Sequence, residues 1–207
     1  MYPSIPEELG LEQCRKKLDT RKEALFSTAA IIDALKITLH HNLTLFNGIL
    51  FLQMLGTAIG PKNACDYADV AISMIDDLVF RIIAEGDPPI IPILWARFRD
   101  DVYLPWIGTL EELDMFVKWV NNIHPSIQFT YSTPSTTGTE YLNMFVYTDE
   151  NGLIQTKSHS KPCDTHAFLV PTSCHPTHQI ENIPYSIANK VYSVCSTDHD
   201  YNVAKRF

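Results

Sequence analysis

Two adjacent aspartates, Asp100 and Asp101, lie between the apolar runs 90–98 and 102–106, and this arrangement limits the possible folds more than any other feature of the chain. Each run has the aromatic and aliphatic content of a strand, and only Arg99-Asp100-Asp101 separates them. A strand, a tight acidic turn and a second strand are predicted. Paired carboxylates at such a tip repel each other unless cations intervene. Hard oxygen ligands suit Mg2+, which takes one or two carboxylates together with substrate phosphates and keeps water in the rest of its shell. An Asp-Asp pair is also an ordinary solvated turn, so the surrounding sequence must decide between the two readings.

Elsewhere the chain alternates helices and short strands. Pro3 and Pro6 punctuate the start, and a short helix is expected over 10–18. Leu25, Ala29, Ile32, Leu35 and Leu39 recur at helical spacing and predict a long buried helix. Asn47-Gly48 between the apolar runs 43–46 and 49–52 predicts a hairpin with a type I′ turn, which places Gln53 just past a strand. Gly56 and Gly60 open a loop before a second apolar helix over 64–80. Thr109 with Glu112 forms a capping box for an amphipathic helix through Leu113, Phe116, Val117 and Val120. Strands are expected at 127–131 and 141–147, a turn at Asn151-Gly152, another strand over 153–157, and a last helix from Pro184. This order reads as mixed α+β with an antiparallel sheet and packed helices; it contains no internal repeat.

The 207 residues suffice for one substantial domain or one plus a small appendage, and 45% hydrophobic content points to a packed core. The longest apolar run, 90–96, is broken by Pro92 and falls short of the roughly 20 residues that cross a bilayer. No secretory leader is evident, and five cysteines without framework spacing fit reduced thiols. A soluble, intracellular protein without a membrane partner is expected. The net charge of −8 weighs against tight independent binding of nucleic acid. Basic residues cluster at Arg15-Lys16-Lys17 with Arg21-Lys22, equally a solvated helix face, and at Lys157 with Lys161.

Phe98-Arg99-Asp100-Asp101 resembles the aromatic-x-Asp-Asp box of reverse transcriptases, and residues 53–62 resemble the glycine-rich motif upstream of that box. The wording is similar to the Penelope-like retroelement (retrotransposon) branch. Further similarities run in order through 46–48, Tyr67-Ala68, 121–125, 127–130, 161–166 with Leu169, 173–176 and Ile183-Pro184, while residues 1–6 resemble the tail of the first catalytic motif. The resemblance thus covers nearly the whole chain.

This resemblance implies a right-hand polymerase palm over 1–157, followed by a connection and partial helical thumb over 158–207. It implies an RNA-directed DNA polymerase that transfers dNTPs to a primer 3′-hydroxyl with two Mg2+ ions, or Mn2+ in their place. RNA template, DNA primer and dNTPs would be its partners, and the nucleus its location. Asp100 and Asp101 would be catalytic metal ligands, Asp100 foremost. Tyr2 would exclude a nucleotide 2′-hydroxyl, and Gly56, Thr57 and Gly60 would admit the nucleotide closely. Gln53, Lys62, Phe98, Arg99 and Lys161 would contact template or primer.

The pattern departs from the family in several places. The family's first motif carries an aspartate ahead of its aromatic, at a position that falls before Met1. Arg99 stands where an apolar residue is usual, Asn143 where Asp is common, Cys163 where Thr is typical, and Pro61 and Cys65 deviate as well. A catalytically inactive polymerase-like relic, binding at most nucleic acid or protein, is therefore a second expectation, and a different palm-type nucleotidyltransferase a third. Cys163, His166, Cys174, His175, His178, Cys195 and His199 offer zinc-ligand chemistry, with loop packing as the simpler account. Ser160 and Ser173 lie near histidines without a nucleophile elbow. Trp106, Phe116 and Trp119 have the spacing of core residues more than of a base-stacking surface.

Overall fold

Alanine, isoleucine and valine at helical spacing from Ala64 onward build the element around which the first half of the chain packs. In a computed structural model this becomes α3 (Ala64–Glu85), whose Ala68, Ala71, Ile72, Ile75 and Val79 are fully buried. The structure describes residues 2–86, 92–165, 167–170 and 172–204, with Tyr2 by its backbone alone. The helix ends at Gly86, which adopts the left-handed φ of 70° that terminates helices and returns its N–H to the Ile82 carbonyl. It is thus longer than the predicted 64–80.

α1 (Glu7–Asp19) lies against α3 and begins before Gly10, at the turn after Pro6, with Glu7 and Glu8 at its positive end. The two helices approach at Gly10, where a Cβ would collide with the Tyr67 phenol; only glycine permits that spacing. Cys14 is buried in the same seam, and burial pushes its thiol up to about 11. The basic residues Arg15, Lys16 and Lys17 are solvent-exposed, with Lys16 paired to Glu12, so this cluster is a solvated helix face. α2 (Thr28–His40) is capped by the Ser27 hydroxyl and buries only Ile32 and Leu39. The long buried helix expected from Leu25 onward is therefore shorter and more exposed; Leu25 lies outside it, 91% exposed.

β1 (Leu43–Phe46) and β2 (Ile49–Leu52) pair in the predicted register, Phe46 against Ile49. Asn47 and Gly48 carry the two positive φ values of the expected turn, 48° and 76°. Every residue of this ribbon is exposed, so its apolar side chains do not join the core. β3 (Ala96–Phe98) and β4 (Asp101–Tyr103) form the acidic hairpin. Both strands are shorter than the predicted runs; residues 90 and 91 lie outside the described ones, and Pro92, which has no N–H for a ladder, precedes the paired segment.

α4 (Leu110–Ile123) has the predicted capping box: the Glu112 N–H donates to the Thr109 hydroxyl, and the Thr109 N–H to the Glu112 carboxylate at 2.7 Å. Its Phe116 is buried among Trp95, Trp106 and Trp119, so these aromatics pack with one another. The strand predicted at 127–131 does not form, because no neighbouring strand reaches it. The Asn121 side chain takes that place: it accepts from the Phe129 N–H at 2.6 Å and donates to the Phe129 carbonyl at 2.9 Å.

The chain divides at 130/131 into two compact units. In the second, the strand predicted over 141–147 is two strands, β5 (Gly138–Tyr141) and β6 (Met144–Thr148), because the chain reverses at Leu142-Asn143 with Leu142 at φ 56°. β7 (Ile154–Ser158) joins β6 to complete a three-stranded antiparallel sheet. α5 (Thr177–Val194) starts well before Pro184, which sits inside it, and α6 (Asp198–Ala204) follows. The Asp200 carboxylate of α6 accepts a 2.6 Å hydrogen bond from Tyr147 of β6. Among the described residues the fold is α+β with three small antiparallel sheets and six α-helices, none of them long and apolar enough to cross a membrane.

Candidate active site

The acidic pair sits at the tip predicted for it. Phe98 pairs with Asp101, leaving Arg99 and Asp100 as the two-residue turn. Arg99 has a φ of 57°, a conformation that costs a non-glycine residue free energy and persists only where neighbours impose it. Asp100 and Asp101 are exposed, and among the described residues neither carboxylate is held in an ion pair or side-chain hydrogen bond. Arg99 does not pair with them; its guanidinium lies over the Phe98 ring, 5.1 Å from the centroid.

Arg97, one residue back from that ring, ties the hairpin to α3. Its side chain is only 8% exposed, and all five of its N–H donors are used. Nε donates to both Asp76 oxygens at 2.9 and 3.0 Å, and Nη2 to Asp76 at 2.7 Å and to the Asp69 carbonyl at 3.4 Å. Nη1 reaches the Asp69 carboxylate at 3.1 Å and the Arg99 carbonyl at 2.8 Å. Trp95, two residues earlier on the same side of the chain, donates its indole N–H to Asp76 at 2.8 Å. Burial opposes the charge on Arg97, yet hydrogen bonds and attraction from Asp76, then Asp69, outweigh it and hold the guanidinium above its ordinary range.

A second feature joins the chain's first turn to the glycine-rich loop. A 3-10 turn spans Tyr2–Ser4, and Gly56, at φ 72°, lies so close to the Pro3 backbone that a Cβ would collide with it. Of the residues predicted to share a nucleotide site, Gly56 thus meets the backbone of Pro3, which follows Tyr2 in the chain. Thr57 is 4% exposed and its hydroxyl has no partner among the described residues, an unusual state for a buried polar group. Gly60, at φ 141°, has open space around it, and Lys62 is exposed just before α3. Gln53 is spent internally: its N–H donates to the Asn42 carbonyl and its amide to the Leu55 carbonyl. Lys161 lies in the second unit, exposed in a turn closed by the Asp164 N–H.

Among the described residues, no group of three or more His, Cys, Asp or Glu side chains is placed to hold a metal ion. The cysteines and histidines weighed as zinc ligands do not converge, His166 lying outside those residues. Ser173 and His175 do meet, at 2.6 Å, on an exposed turn. Sequence reasoning missed Arg97, Asp69, Asp76 and Trp95. Their signal was faint but present: two aspartates seven apart within an apolar helix, and Trp and Arg two apart before the acidic turn. No family model, no curated protein and no solved structure matches this chain.

Proposed function

We propose that residues 1–157 are a reverse-transcriptase palm and 158–207 a connection and partial thumb, of the kind the motifs resemble in Penelope-like elements, and that Asp100 and Asp101 bind the divalent cations of an RNA-directed DNA polymerase. The observation that carries this reading is the acidic tip itself: two adjacent carboxylates, exposed and unpaired, on a turn anchored to α3 through a buried arginine. The donor set is all oxygen and exposed, which fits Mg2+ or Mn2+ better than a soft metal.

Bound there, such ions supply Lewis-acid activation of a primer 3′-hydroxyl and neutralisation of triphosphate charge. Asp100 and Asp101 hold and space them. Arg99, drawn aside onto Phe98, leaves both carboxylates free, and its guanidinium is, with Phe98 and Gln53, a proposed template or primer contact. Gly56, Thr57 and Gly60 with Tyr2 are the proposed dNTP-binding residues: Gly56 lets the loop approach the 3-10 turn that Tyr2 begins. RNA template and DNA primer are the proposed partners, with Lys62 and Lys161 as phosphate contacts and the nucleus the proposed location.

Primer extension on an RNA template with Mg2+ tests the reading. Incorporation by the wild type and its loss by orders of magnitude in Asp100→Asn are expected; equal incorporation by both sinks the assigned role. Incorporation by neither selects an inactive polymerase-like domain.

A further inference from the structure

The Arg99 turn is costly for the chain to adopt, and one contact reaches it from the buried layer. Arg99 has neither the missing Cβ of glycine nor the short polar side chain of asparagine that eases a φ of 57°. Its carbonyl accepts a 2.8 Å hydrogen bond from Arg97 Nη1. That same nitrogen is held by Asp69, and the rest of the guanidinium is clamped by Asp76, itself fixed by Trp95. A charge-assisted bond from a guanidinium with no rotational freedom left is suited to holding a carbonyl in an otherwise disfavoured turn. The two residues whose directions this turn determines are Asp100 and Asp101.

We infer that Arg97 is a positioning residue for the acidic tip: braced by Asp69 and Asp76 of α3, it imposes the left-handed Arg99 turn and so sets the spacing of the Asp100 and Asp101 carboxylates for a divalent cation. This rests on the proposed metal role of the pair. It makes Arg97 act through backbone geometry, touching neither metal nor substrate. Outer residues that orient metal ligands in this way typically contribute about 10–100-fold to metal affinity.

Mn2+ affinity, read from water-proton relaxation on the whole chain, tests this in a cycle of variants. Arg97→Lys keeps the charge but cannot make the fork, and is expected to weaken Mn2+ binding by about tenfold. Arg99→Gly makes the turn intrinsically accessible, since glycine adopts positive φ freely. If Arg97 works by imposing that turn, Arg97→Lys causes a much smaller loss in an Arg99→Gly background than in an Arg99 background. Comparing ratios within each background removes the direct effect of the lost Arg99 charge. Equal losses in the two backgrounds, with Asp100→Asn abolishing binding, overturn the positioning role while the metal site stands. Mn2+ binding indifferent to Asp100→Asn overturns the metal site, and the positioning role with it. Should Arg97→Lys fail to fold, Asp69→Ala, which removes the Nη1 acceptor at the more exposed end of the brace, takes its place in the cycle; its loss of Mn2+ affinity is smaller, up to about fivefold, and again shrinks in the Arg99→Gly background, equal losses overturning the positioning role.

Discussion

Replacing Asp76 with alanine removes the carboxylate that neutralises Arg97 and leaves a guanidinium, 8% exposed, without its principal counter-charge. Asp76 is itself 14% exposed and accepts from Trp95 Nε1, Arg97 Nε and Arg97 Nη2, so the loss strands three donors. Breaking a buried pair from one side costs about 3–5 kcal/mol. For a chain of this length each kcal/mol lowers Tm by about 2–4 °C, so a fall of about 6–20 °C is expected. Asp69 provides the contrast: its side chain is 44% exposed and solvent screens its single 3.1 Å contact with the same guanidinium. Asp69→Ala is therefore expected to cost about 0–1 kcal/mol. Urea unfolding of the two variants side by side is the assay. A third protein, Asp76→Leu with Arg97→Met, should cost less than Asp76→Ala alone, because no unpaired charge remains buried. Equal losses for Asp76→Ala and Asp69→Ala would show that Arg97 is not desolvated around Asp76 and would refute the reasoning.

Gly10→Ala should destabilise the chain by about 1–3 kcal/mol in urea unfolding, because the clash with Tyr67 outweighs the gain of about 1 kcal/mol in helix propensity. Thr109→Ala and Glu112→Ala should each cost about 1 kcal/mol, and the double variant less than their sum, since the capping box is reciprocal. Asn121→Ala should accelerate hydrogen exchange at the Phe129 amide, which loses its 2.6 Å acceptor. Folding raises the Cys14 thiol from 9.0 to about 11, so the unfolded chain gives up its proton first. The contribution is fully present below pH 9 and disappears as pH rises toward 11; the stability of wild type relative to Cys14→Ala should fall across that window.

What the sequence made readable was local chemistry with a short reach. The Asn47-Gly48 turn, the Thr109–Glu112 box and the acidic hairpin each depend on residues within a few positions of one another, and all three form. The errors arise where tertiary partners decide. Residues 127–131 have strand composition but no neighbouring strand, and a side chain from α4 bonds the backbone in its place. Residues 141–147 look continuous, yet the chain reverses at Leu142-Asn143 without a glycine or proline to mark the turn. Apolar content did not announce burial either, since the apolar ribbon of β1 and β2 is exposed throughout. In the candidate site, the carboxylates were legible and their brace was not. Arg97 meets Asp69 and Asp76 across 28 and 21 residues, a distance no local pattern spans.

Paramagnetic broadening by Mn2+ in the 15N-labelled chain reads the acidic tip without requiring turnover. Amides of residues 99–102 should broaden first, at substoichiometric Mn2+, recover in excess Mg2+, and stay sharp in Asp100→Asn with Asp101→Asn. Broadening that starts elsewhere, or that survives the double substitution, would contradict a metal site at Asp100 and Asp101.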